Sequence, residues 1–82
     1  MKYNESRVIL ACNLLEYCAQ KQISQEEMAF QIDLSVKSYA EIERAKVHTN
    51  LEILDRIGQV TGMLPAQLLT PLCQRIPITA NQ

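Results

Sequence analysis

The chain has 82 residues, 48% hydrophobic but only 5% aromatic, with two glycines, three cysteines and a formal net charge of −1. That length provides one small domain with a single core and leaves no volume for a separate catalytic cleft. The charge shows none of the global basic excess carried by many nucleic-acid binders, and no run of 18 or more apolar residues is present to span a membrane.

Asn4 is placed to cap a first helix over about Glu5 to Gln20. One face of it carries Val8, Ala11, Cys12, Leu15, Cys18 and Ala19, and a second apolar row carries Leu10, Leu14 and Tyr17. A helix apolar over more than half its circumference is either deeply buried or shared with a partner.

Ser24 followed by Glu27 forms a capping box that starts a second helix, with Met28, Ala29 and Ile32 turned inward. It should stop near Asp33, because a tight break needs a residue at positive φ and Asp tolerates that better than most. Leu34 then plugs the turn. Ser35 caps a third helix, about Val36 to Ala45, with Tyr39 and Ile42 inward and Val36, Lys37, Ala40, Glu41 and Arg44 outward.

Residues 46–49 form a polar connection. Thr49 with Glu52, or Asn50 alone, caps a fourth helix that buries Leu51, Leu54 and Ile57 and ends at Gly62. Pro65 suits the first turn of a short fifth helix through about Leu69, which Thr70-Pro71 stops. Residues 71–82 form a tail that is too apolar, with Leu72, Ile76 and Ile78, for plain disorder. The expected architecture is all-α: a compact five-helix domain over residues 1–70, with the two-helix unit at about 24–45, and a C-terminal tail over 71–82.

Ile23-Ser24-Gln25-Glu26-Glu27-Met28-Ala29, Leu34-Ser35, Ile42-Glu43-Arg44, Lys46 and Leu51-Glu52 together resemble the Xre/Cro-type helix-turn-helix regulators and their phage-repressor relatives. The resemblance covers residues 23–62. It implies a lambda-repressor-like domain whose third helix lies in the DNA major groove while the second crosses the backbone.

Carried over by position, it implies base reading by Val36, Lys37 and Glu41, with Ser38 beside them. Gln25 falls at a phosphate-contacting position at the start of the second helix, and Arg44, Lys46, His48 and Asn50 flank the other edge as phosphate contacts. The chain departs from the usual pattern with Asp33 and Ala45 in place of Gly and Thr49 in place of Pro. Cys18 stands where phage repressors often have an Arg that holds the residue at Glu43. Arg44, Lys21 or a backbone donor is then expected to serve Glu43, or the carboxylate is solvated, since a buried unpaired one costs several kcal/mol.

Cys12, Cys18 and Cys73 are an odd number without paired metal-ligand spacing, and the N-terminus has no basic-then-apolar signal segment, which points to a reduced cytoplasmic setting. They read as small apolar residues, and His48 as a loop residue rather than a metal ligand. No nucleophile, histidine and acid constellation and no glycine-rich nucleotide pattern is present, so no enzyme, cofactor or metal is expected.

A domain this small contacts too little DNA for tight specific binding unless it dimerises. The expected function is a homodimeric repressor on a palindromic operator of double-stranded DNA, with dimerisation through the fifth helix and tail: Leu68, Leu69, Leu72, Ile76 and Ile78. The alternative is a protein-interaction module on the same scaffold, an antitoxin bound to a toxin or an antirepressor bound to a related regulator. A small-molecule sensor has little room, because its pocket would have to be carved from the only core.

Overall fold

The computed structural model describes residues 5–71, and the described residues form five helices and no strand: α1 (Glu5–Lys21), α2 (Gln25–Gln31), α3 (Val36–Glu43), α4 (Leu51–Thr61) and α5 (Pro65–Leu68). The Asn4 cap and the tail residues Leu72, Ile76 and Ile78 lie outside them. No helix among the described residues is long and apolar enough to cross a membrane.

Local chemistry sets the helix starts. Ser24 Oγ accepts from the Glu27 amide at 3.0 Å and Ser35 Oγ from the Ser38 amide at 3.1 Å, so each fills one orphan donor of the helix it begins. Of the two caps open for α4, Asn50 is the one used, its Oδ1 accepting from the Ile53 amide at 2.8 Å. Glu27 does not complete the expected box at Ser24; its carboxylate accepts from Gln31 Nε2, one turn on.

Three of the helix ends share one device. At the end of α2 the Asp33 amide donates to the Phe30 carbonyl and the Leu34 amide to that of Ala29, with Asp33 at φ +61°. The same pair of bonds closes α3 through Ala45 (φ +59°) and Lys46, and α1 through Gln22 (φ +56°) and Ile23. These are Schellman ends, in which a left-handed residue lets two amides return to carbonyls of the last turn. Only α4 ends on a glycine, Gly62 at φ +78°.

Leu10 and Leu14 of α1 meet Met28, Ala29 and Ile32 of α2, Tyr39 and Ile42 of α3, Leu54 and Ile57 of α4, and Leu68 of α5 in one core. Helix α3 packs on both α1 and α2, and α5 on α1 and α4. The two apolar rows of α1 therefore divide in favour of Leu10 and Leu14. Val8, Cys12, Leu15 and Ala19, expected on a buried face, are exposed, although Ala11 is buried.

Two further residues differ from expectation. Leu51, the first residue of α4, is 78% exposed because the core direction of that helix is set by Leu54 and Ile57. Ala40 is buried rather than outward, since α3 is covered on two sides. Helix α3 also ends at Glu43 rather than Ala45, because its Schellman end claims Arg44 and Ala45.

Long-range polar ties complete the packing. Asn13, buried on α1, donates through Nδ2 to the Leu68 carbonyl at 2.6 Å and the Thr70 carbonyl at 3.2 Å. Arg56 of α4 bonds Glu52 at 2.8 Å and reaches the carbonyls of Ile32 and Asp33 at 3.3 and 3.4 Å. It thereby braces the break between α2 and α3 from below. Neither role was visible in the sequence, because each partner is a backbone carbonyl at least 23 residues away.

Candidate nucleic-acid interface

Helix α3 turns Val36, Lys37 and Ser38 of its first turn outward, all exposed, with Glu41 half-buried one turn later. Ser35 caps the helix, and its hydroxyl donates to Ser38 Oγ at 3.0 Å, so Ser38 keeps its own proton for an external acceptor. Beyond the C-terminal end of α3, Arg44, Lys46 and His48 are exposed. Asn50 is exposed too, but its side-chain oxygen is committed to the α4 cap, which leaves its amide nitrogen as the group available to an anion.

A single carboxylate organises the base of this surface. Glu43, the last residue of α3, is only 8% exposed. Its Oε2 accepts from the Tyr39 hydroxyl at 2.6 Å and from the Cys18 thiol at 3.8 Å, and its Oε1 accepts from Gln25 Nε2 at 2.8 Å. Neither Arg44 nor Lys21 nor a backbone donor serves it, and it is not solvated. Three neutral donors from α1, α2 and α3 take the place of a cation, which satisfies the buried charge by hydrogen bonding.

Burial raises the Cys18 thiol; its hydrogen bond with Tyr39 opposes that rise, and Glu43 adds to it. Burial, then the bonds with Cys18 and Glu43, hold the Tyr39 hydroxyl far above the ordinary tyrosine range. Both groups therefore stay protonated as donors. A sequence clue to part of this cluster exists, since Tyr39 and Glu43 are one helical turn apart.

Gln25 is the first residue of α2. Its bond to Glu43 uses one amide proton and points the side chain across the mouth of the two-helix unit, with the second proton and the carbonyl oxygen remaining. The arrangement thus brings Gln25 and the α3 side chains onto one structural unit, tied through Glu43.

Leu68, expected at a dimer surface, is 1% exposed and belongs to the core; Leu69 is 37% exposed. Among the described residues no group of three or more His, Cys, Asp or Glu is placed to hold a metal ion.

Comparison with known proteins agrees with this geometry. The helix-turn-helix family HTH_3 matches residues 14–69. Among solved structures, the chain is similar to a hypothetical transcription factor, NHTF, from Neisseria, with 28% identity and a TM-score of 0.86 over 92% of this chain and 84% of that one. No curated protein matches it.

Proposed function

Because the chain belongs to the helix-turn-helix family HTH_3, we propose that it is a DNA-binding transcriptional regulator, a homodimeric repressor that occludes a promoter by occupying a palindromic operator. The observation that carries this reading is the tie between Gln25 and Glu43, which sets the start of α2 in a fixed relation to the exposed face of α3. A groove-reading helix needs a partner that sets its register on the phosphates.

In this reading α3 enters the major groove. Lys37 donates to a purine edge, Val36 meets a thymine methyl, Ser38 bonds either, and Glu41 accepts from a cytosine amine. Gln25, Arg44, Lys46, His48 and Asn50 hold phosphates. Residues 35–50 carry a local charge of +1 against −3 for residues 22–34, so the cations are concentrated on the DNA side of the motif. The chain acts in the cytoplasm, without catalysis.

Two copies related by a two-fold axis place their α3 helices in successive major grooves about 34 Å apart. Leu69 and the tail residues Leu72, Ile76 and Ile78 supply the contact, with Leu68 buttressing Leu69 from the core. A chain ending after Thr70 is expected to sediment as a monomer where the full chain sediments as a dimer; an unchanged dimer would remove the tail from the interface.

The second reading, a protein-interaction module of antitoxin or antirepressor type, draws on Phe30. It is 80% exposed on α2 beside exposed Glu26 and Glu27, a face suited to a protein rather than to DNA. Selection of duplexes from a random pool at two salt concentrations separates the two readings. Enrichment of a palindrome, with affinity falling as salt rises, supports the regulator; absence of salt-sensitive binding supports the interaction module.

A further inference from the structure

A cavity of about 190 Å³ lies beneath the connection between α3 and α4. Leu10, Ile42 and Leu54 from the edge of the core form its apolar wall, and Arg7, His48 and Thr49 stand on its polar side. The core thus accommodates a pocket without being hollowed, because the space opens where α1, α3 and α4 diverge towards residues 47–49.

We infer that this cavity binds a small aromatic monocarboxylate. Size sets the ring: an apolar cavity of about 150 Å³ takes benzene, so the space here holds one six-membered ring with a single small substituent. Charge sets the substituent, because among the described residues the lining contains a guanidinium and an imidazole and no Asp or Glu. A carboxylate accepts from both.

Thr49 adds an independent indication. Its hydroxyl oxygen is buried without a hydrogen-bond partner, an uncompensated polar group in the wall of the cavity. A rotation of the side chain towards an occupant gives that hydroxyl an acceptor. The ring then rests on Leu10, Ile42 and Leu54, and the carboxylate on Arg7, His48 and Thr49. The site requires nothing of the proposed function, although His48 belongs to both.

Benzoate titrated into the full chain tests this, followed by backbone amide chemical shifts, with benzyl alcohol and benzylammonium as the neutral and cationic counterparts. The expected result is saturable shifts at Leu10, Ile42, His48 and Leu54, with half-saturation near about 1 mM for so small a ligand. Benzyl alcohol should bind about ten-fold more weakly and benzylammonium not at all. Arg7→Gln should weaken benzoate alone, and Val47→Phe, at a partly exposed wall position, should abolish binding of both. Shifts that never saturate, equal binding of all three compounds, or no shifts at all would each overturn the proposal.

Discussion

Gln25 Nε2 donates to Glu43 Oε1 at 2.8 Å, which joins the first residue of α2 to the last residue of α3. The Schellman turn at Asp33 brings the two helices together, and this bond closes the open side of the angle. Gln25→Ala is expected to cost about 1 kcal/mol, since a bond to a carboxylate contributes more than a neutral one but here the donor is exposed. Urea denaturation measures it. The same substitution should weaken binding to every duplex alike, whereas Lys37→Ala and Glu41→Ala should change which duplexes are chosen.

Tyr39→Phe keeps the ring that fills the centre of the core and removes the hydroxyl that serves Glu43. The loss should be about 2 kcal/mol, because a buried carboxylate is left short of a donor. In a double-mutant cycle with Glu43→Gln the two losses should fall short of additivity by about 1 kcal/mol or more. Strict additivity would show that the hydroxyl and the carboxylate act separately.

The same cluster sets an alkaline limit. Tyr39 and Cys18 both have raised folded-state pKa values and are neutral when protonated, so the folded chain holds these protons more tightly than the unfolded chain. Their contribution is whole below the unfolded thiol value of about 8.5 and erodes as pH rises past it, more steeply past about 10 where unfolded tyrosine ionises. Denaturation midpoints between pH 7 and 11 should follow that course. Tyr39→Phe should remove the steeper part, and a flat profile in the native chain would contradict it.

The caps were legible from sequence because they are local: Ser24, Ser35, Asn50, Gly62 and Pro65 each act within a few residues of the helix end they set. Orientation was legible where a helix has one apolar row, as in α2. It was not on α1, where Val8, Cys12 and Leu15 compete with Leu10 and Leu14 and only the packing of α3 decides. The donors to Glu43 stayed hidden for a related reason. They come from three helices, and a thiol, a phenol and an amide together resemble no ion pair.

Two small residues offer a further check. Ala45 sits at φ +59°, where an L-residue is strained by about 1 kcal/mol or more, so Ala45→Gly should stabilise the chain and raise Tm by roughly 4–8 °C. Gly58 is helical, and glycine-to-alanine there would ordinarily help. A Cβ at that position would stand 2.7 Å from the Met63 carbonyl oxygen, so Gly58→Ala should instead destabilise by about 1–3 kcal/mol. Calorimetry on the pair should give Tm shifts of opposite sign.

Leu51 and Leu54 separate surface from core within one turn of α4. Leu51→Gln should change stability by less than about 0.5 kcal/mol, and Leu54→Ala should cost about 2–5 kcal/mol. A large loss at Leu51 in dilute monomer would contradict its place on the surface.

The Asn13 amide reaches carbonyls 55 and 57 residues further along the chain. At about 5–20 residues per second of synthesis, α1 waits roughly 3–11 s for those acceptors to exist. Through that interval a helix with an apolar stripe on either side lacks its clasp and gains its core only helix by helix, and α5 is too short to hold itself when it arrives. Docking of α1 is therefore timed by the synthesis of α5, and until then the nascent chain is most exposed to aggregation through α1.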